Sequence, residues 1–164
     1  MSESLMSKAA VLERLPEHPA VKAILAWQPD ALADAKFDRG ELTLTIAAGE
    51  IRSAAATVQA AGYNFFEDVT AVDWFPSSPR FQLSYHIVSH TYKERIRLRV
   101  LLEGDAPAVE SITSVWPAAN FYEREVFDLF GIGFEGHPNL RRIMMPDDWQ
   151  GHPLRKDYPV EGYR

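Results

Sequence analysis

Within six residues, Glu123, Arg124, Glu125 and Asp128 gather three carboxylates and a guanidinium, equipment for a general acid–base pair or for a network of ion pairs. On a helix, Arg124 and Asp128 lie four apart and share a face with Phe121 and Glu125, whereas Glu123 points with Phe127 and Phe130. The apolar stripe would then be Ala119, Tyr122, Val126 and Leu129. That scatter favours ion pairs that tie domains or subunits together over a converging catalytic pair.

Three further constellations follow within the next stretch. Gly131-Ile132-Gly133-Phe134-Glu135-Gly136 has the spacing of a dinucleotide-binding turn. Such a turn works only between a strand and the helix it opens, and here a helical stretch precedes it and His137-Pro138 follows. The phrase Gly-His-Pro occurs at 136–138 and again at 151–153. A residue before proline is driven to an extended backbone, and each phrase runs on to a leucine and two bases, Leu140-Arg141-Arg142 and Leu154-Arg155-Lys156. Two anchoring turns explain His137 and His152 better than a metal site, because no cysteine is present to complete a ligand set. His86 and His90 are too far apart along a strand to share an ion, and His18, beside Pro19, is expected in an exposed loop. The bases Arg141, Arg142, Arg155 and Lys156, with Asp147, Asp148 and Asp157 between and beside them, suit carboxylates of a partner. Trp149, Met144 and Met145 suit the apolar centre of such a contact.

These residues need elements to hold them. Pro16 and Pro19 divide residues 8–27 into short helical pieces. The run Glu41–Ile46 alternates like a strand, and residues 50–61 carry Ile51, Ala54, Ala55 and Val58 at helical spacing before Gly62. Strands are expected at 66–74, 81–89 and 92–102, the last two forming an antiparallel hairpin. In the final strand, alternation sends Lys93, Arg95, Arg97 and Arg99 to one face and Ile96, Leu98 and Val100 to the other. A helical region is expected from Pro107, leading through Pro117 into a longer helix at 118–130. The order predicts an α+β fold: an antiparallel or mixed sheet of about four strands, covered on one face by two helices, with a long extended C-terminal coil. Three parts result, an N-terminal helical segment (1–40), an α+β domain (41–130) and an extended segment (131–164) that docks on partners. The last part holds 5 Gly and 4 Pro yet keeps Phe134, Ile143, Met144, Met145, Trp149 and Tyr158. An apolar-studded coil of that length packs on a partner or back on its own sheet.

Composition narrows the class. With 46% hydrophobic and 24% charged residues the chain of 164 residues is globular. Its net charge of −6 argues against nucleic acid. Zero cysteines leave no thiolate for zinc or an iron–sulfur cluster. No run approaches the ~18 apolar residues of a membrane span, and the first fifteen residues lack a signal-peptide core, so a membrane is expected to be met only through partners.

The stretch from Glu123 to Pro159 resembles the signature block of one family of subunits of respiratory NADH:quinone oxidoreductase (complex I), the C or thirty-kilodalton subunit family. Glu123-Arg124-Glu125, Asp128-Leu129-Phe130-Gly131, His137-Pro138, Leu140-Arg141-Arg142, Asp147-Asp148-Trp149 and Gly151-His152-Pro153-Leu154-Arg155-Lys156-Asp157-Tyr158-Pro159 carry it. The resemblance implies a cofactor-free scaffold of the hydrophilic arm, peripheral on the cytoplasmic side of the inner membrane. FMN and iron–sulfur clusters would sit on partner subunits, and the neighbours would include those forming the quinone site. Interface residues implied on this chain are Glu123, Arg124, Glu125, Asp128, His137, Arg141, Arg142, Trp149, His152, Arg155, Lys156, Asp157 and Tyr158. Membrane-bound hydrogenases, F420-type dehydrogenases and ferredoxin-using complexes contain equivalent subunits. Outside the resemblance, a free-standing binding module or an independent enzyme built on Glu123, Glu125 and Asp128 are the competing classes.

Overall fold

The computed structural model describes residues 5–162; the first four residues of the N-terminal stretch and the last two of the C-terminal segment lie outside the described residues. Proline divides the N-terminal region as expected. Helix α1 (Lys8–Arg14) ends before Pro16, and α2 (Pro19–Trp27) starts with a proline in its first turn, where a missing N–H costs nothing. The next element has no counterpart in the sequence pattern. Residues Leu32–Asp38 form strand β1, which turns through Arg39 and Gly40, both at positive φ, into β2 (Glu41–Ile46). Two successive positive-φ residues make the tight hairpin turn whose twist matches that of the flanking strands.

Helix α3 (Ile51–Ala60) follows, then the meander β3 (Phe65–Asp73), β4 (Phe81–Ser89) and β5 (Glu94–Leu102). The sheet order is β1-β2-β5-β4-β3, with β2 and β5 parallel and the other pairs antiparallel. The architecture is therefore α+β with a mixed sheet of five strands, one more than the sequence suggested. The hairpin joining β4 and β5 needs residues 90–93, and Lys93 sits in it at positive φ, so it does not share the face of Arg95, Arg97 and Arg99.

Residues after Pro107 are not helical. They form the short strand β6 (Ala108–Glu110) and turns up to Trp116, before α4 (Ala119–Phe130). Strand β7 (Gly133–Glu135) then returns to pair in parallel with β6. One core joins Leu42, Leu44, Ile46, Leu83, Tyr85, Ile87, Ile96 and Leu98 of the sheet to Val11, Ile24, Ile51, Val58 and Val126 of all four helices. Burying a side chain of this kind stabilises by about 1.5–3 kcal/mol. The opposite sheet face is polar, and α4 lies over the edge strand β3.

Candidate functional site

Among the described residues, those after β7 lack regular structure, and their polar anchors converge on the C-terminal end of α4 and the adjacent sheet edge. Asp128 is the centre. Its side chain is fully buried, and Oδ2 accepts the backbone N–H groups of Ile143, Met144 and Met145 at 2.9, 2.7 and 2.8 Å. Oδ1 accepts from Arg142 Nη1 at 2.6 Å. Burial pushes this carboxyl up, but the three amides and the guanidinium outweigh it and hold its pKa below the usual value.

The remaining donors of Arg142 reach the carbonyls of Asp128, Trp149 and Gly151. The helix thus ends in a fork that captures the tail twice. Helix C-termini leave carbonyls unsatisfied, and here the tail supplies their donors. Leu154 N–H donates to the Leu129 carbonyl at 3.0 Å and Arg155 Nε to the Phe130 carbonyl at 2.5 Å. His152 Nδ1 lies 2.8 Å from the Asp128 carbonyl, which makes Nδ1 the protonated nitrogen. Burial lowers the pKa of His152, favouring the neutral ring. Arg124 does not pair with Asp128, as helical spacing suggested. It donates to the carbonyls of Arg141 and Arg142, both at 3.1 Å.

A second anchor lies at the sheet edge, on residues that no motif marks. Asp73, with its side chain fully buried, takes a two-pronged grip from Arg80: Nε to Oδ1 and Nη2 to Oδ2, each at 3.0 Å. Arg80 also reaches Asp157 of the tail at 2.7 Å and Asp105 at 3.0 Å. The Lys156 N–H donates to Asp73 Oδ2 at 2.9 Å. Burial would raise the Asp73 carboxyl, yet Arg80 and the amides of Lys156 and Phe75 bring it down to about 2. Strand parity was the available signal, since Val69, Ala71 and Asp73 all face inward.

Glu123 points inward too. Its Oε1 accepts the Ile112 N–H at 2.8 Å, and its Oε2 accepts from Ser111 Oγ at 2.6 Å and lies 3.9 Å from His137 Nε2. His137 Nδ1 accepts the Asn139 N–H, so the proton sits on Nε2, directed at the Asn120 carbonyl. The ring is neutral, and Glu123 has no cation beside it. Burial pushes its pKa up to about 7. Glu123 and Asp128, both buried, therefore find partners inside this chain. Helical spacing misplaced them because Glu123 and Asp128, with Ala119 and Val126, form the buried face, while Tyr122 is partly exposed. His18 is also corrected. It is mostly buried, 3.3 Å from Glu94.

What faces outward is different. Arg141, Lys156, Trp149 and Glu125 are exposed, and Ile143, Met144 and Leu154 present 38%, 62% and 50% of their surface. Tyr158 donates to the Gln150 carbonyl at 3.3 Å. Glu125, Leu129, Phe130 and Leu154 border a small groove against β3. The glycines of the rejected dinucleotide motif serve local geometry: Gly131 caps α4 at φ +70, Gly133 packs against Ala108, and Gly136 turns at φ +77. Of Asp147, Asp148 and Asp157, the last meets Arg80 of the body. Asp147 and Asp148 are exposed, and Arg142 spends itself on Asp128.

Residues 44–164 match the family model described as respiratory-chain NADH dehydrogenase, 30 Kd subunit. The chain is 42% identical over 158 residues to the C subunit of NADH-quinone oxidoreductase from Roseiflexus sp. (strain RS-1), covering 94% of this chain and 86% of that one. Among solved structures it resembles the trypsin-resistant fragment (1-134) of Nqo5 at a TM-score of 0.63 and 31% identity, over 79% of this chain and 98% of that chain. It also resembles a chain from the membrane-bound sulfane sulfur reductase, an archaeal respiratory membrane complex, at a TM-score of 0.76 and 27% identity, over 88% and 86%.

Proposed function

Because the chain belongs to the family of the 30 Kd subunit of respiratory-chain NADH dehydrogenase, we propose that it is a non-catalytic, cofactor-free scaffold in the hydrophilic arm of a proton-translocating NADH:quinone oxidoreductase. Electrons pass from NADH to quinone through FMN and iron–sulfur clusters held by neighbouring subunits. The chain sits on the cytoplasmic side of the inner membrane, beside the subunits that form the quinone site. Among the described residues, no helix is long and apolar enough to cross a membrane, so attachment runs through those neighbours.

One observation carries the reading. The tail spends its buried polar groups on its own α4 and sheet edge, which leaves Ile143, Met144, Trp149 and Leu154 displayed on a fixed backbone. Methionine and tryptophan are among the side chains enriched at interface centres. Of the interface set read from the sequence, Arg141, Trp149, Lys156 and Glu125 meet the partner directly. Asp128, Arg142, His152, Arg155, Arg124 and Asp157 hold the platform from behind, and Glu123 with His137 braces its root.

The test is to tag the chain in its native cell, solubilise the membranes gently, and weigh and assay what co-elutes. A large flavin and iron–sulfur assembly that oxidises NADH is expected. The chain eluting alone from the soluble fraction would remove the scaffold reading. Arg141→Glu should reduce assembled complex several-fold while the isolated chain keeps its circular dichroism. Full assembly with lost turnover would instead place chemistry on this chain. A second reading is favoured by the likeness to the sulfane sulfur reductase chain: the same scaffold in an assembly with another electron donor or acceptor. Failure of the co-eluting assembly to oxidise NADH would select it.

A further inference from the structure

The helices cover one face of the sheet. Over the other, a cleft of about 420 Å³ opens across β1, β2 and β5, lined by Lys36, Arg39, Arg95, Arg97 and Arg99 against only two acids, Asp38 and Glu41. The lining carries a formal +3 in a chain whose total is −6. The excess is local to the cleft: Lys36 pairs with Asp38 at 3.4 Å, and Asp34, Glu67 and Asp68 around the rim balance the face as a whole.

Their arrangement is a row and not a cup. Arg95, Arg97 and Arg99 alternate along β5, so their positions step by about 6.6 Å and span about 13 Å. Each guanidinium is braced from one side by the sheet. Arg95 Nε donates to Glu41 at 3.0 Å, Arg97 to Glu41 at 2.6 Å and to His86 Nε2 at 3.0 Å, and Arg99 Nε to Thr45 at 2.9 Å. His86 in turn holds Asp68 at 2.6 Å through Nδ1. Two rim carboxylates reach in more loosely, Glu67 at 3.5 Å from Arg95 and Asp34 at 3.3 Å from Arg99. The outer edges of the guanidiniums still meet solvent: the three side chains keep 50%, 30% and 23% of their surface. Bracing reduces the side-chain entropy that binding would otherwise cost, and a guanidinium keeps its charge at any physiological pH.

A single phosphate needs free donors that converge on one point; Arg95 and Arg97 converge only on Glu41, which already holds them, and their outer edges run on in a row with Arg99. Carboxylates at alternate residues of an extended segment repeat with the same period as the arginines. From this match of charge and spacing we infer that the polar sheet face docks an extended acidic segment of a partner chain, carrying carboxylates at every second residue. The surface is separate from the displayed tail. Only the natural occupant depends on the assembly proposed above.

Two arms keep these apart. In the first, the full chain is titrated against a fluorescein-labelled ten-residue peptide of alternating Glu and Thr, read by anisotropy. Saturable binding that weakens with added salt is expected. Lys36→Glu with Arg39→Asn, and separately Arg95→Gln, should each weaken it about tenfold, with Arg141→Glu on the tail leaving it unchanged. Arg39→Asn suits the positive φ of that turn, and circular dichroism confirms that each variant folds. No binding, or equal binding by the face variants, overturns the inference. Inorganic phosphate competing as well as the peptide does the same, because it marks a single-anion site. In the second arm, a photo-cross-linker replaces Lys36 in the tagged cell-derived complex and the joined peptide is sequenced. An extended acidic segment supports the inference and a segment without carboxylates overturns it. If the chain enters no assembly, the scaffold proposal fails and the peptide titration still decides the face.

Discussion

Two buried carboxylates of this chain pull its stability in opposite directions with pH. Asp73 has its folded pKa depressed to about 2 by Arg80 and two amides, against the pull of burial. Its contribution is complete above the unfolded value near 3.8 and is lost as pH falls from there through about 2. Glu123 is the reverse case. Burial raises it from 4.5 to about 7, so the folded state keeps a proton that the unfolded chain has released. Stability should fall as pH rises from 4.5 to 7, by about 1.4 kcal/mol per unit and roughly 3 kcal/mol in all. The depressed His137 and His152 add the opposite slope below 6.5, because the unfolded chain binds their protons first. A comparison with Glu123→Gln isolates the glutamate. The amide can accept from Ile112 and donate to Ser111, so the variant should match wild type near pH 4.5 and exceed it by roughly 2–3 kcal/mol at pH 8 in urea unfolding. Parallel stability curves across that range would mean that Glu123 does not hold the proton.

Helix α4 and its exit act as a unit. Gly131 ends the helix at φ +70, and a Cβ there would meet the His152 ring at 2.5 Å and Arg155 at 2.8 Å. Backbone strain in this region costs a non-glycine residue about 1–2 kcal/mol, and the crowding falls on the tail's two anchors. Gly131→Ala should therefore loosen the tail before it unfolds the sheet. Amides of residues 143–145 should exchange with solvent at least tenfold faster, while those of β4 and β5 hold. Equal loss of protection throughout would show that the cap serves the whole fold and not the tail alone.

For the molecule as a whole, two carboxylates, Asp128 and Asp73, keep the C-terminal segment on the body, and Asp128 makes the larger share of the contacts. Asp128→Asn would leave three amides on a neutral oxygen and Arg142 without its charge partner. Trypsin should then cut after Arg141, Arg142, Arg155 or Lys156 at least tenfold faster in the isolated chain, with residues 5–130 resisting. The assembled complex should shield the same sites. A cleavage rate unchanged by the substitution would exclude Asp128 as the main fastener.

Local pattern was enough for the elements with clean periods and for the segment that matters. The alternation of β2, β4 and β5, the apolar spacing of α3, the proline break between α1 and α2, and the helix closed by Gly131 are all properties that a short window contains. The family was legible for a related reason, because the residues from Glu123 to Pro159 combine rare types in a fixed order. Strand β1 was hidden since a register shift between Leu32 and Asp34 places its buried residues, Leu32 and Ala35, three apart, a helical spacing and not the alternation of a strand. Strands β6 and β7 are short and exist only by pairing with each other. Which charges are spent is a property of the packed chain alone. Helical spacing offers Asp128 to Arg124, four positions away; the folded chain gives it to Arg142 and three amides that only the returning tail can bring. Arg80 likewise meets Asp157 across 77 residues of chain, a separation over which local pattern carries no information about contact and only packing around a shared core does.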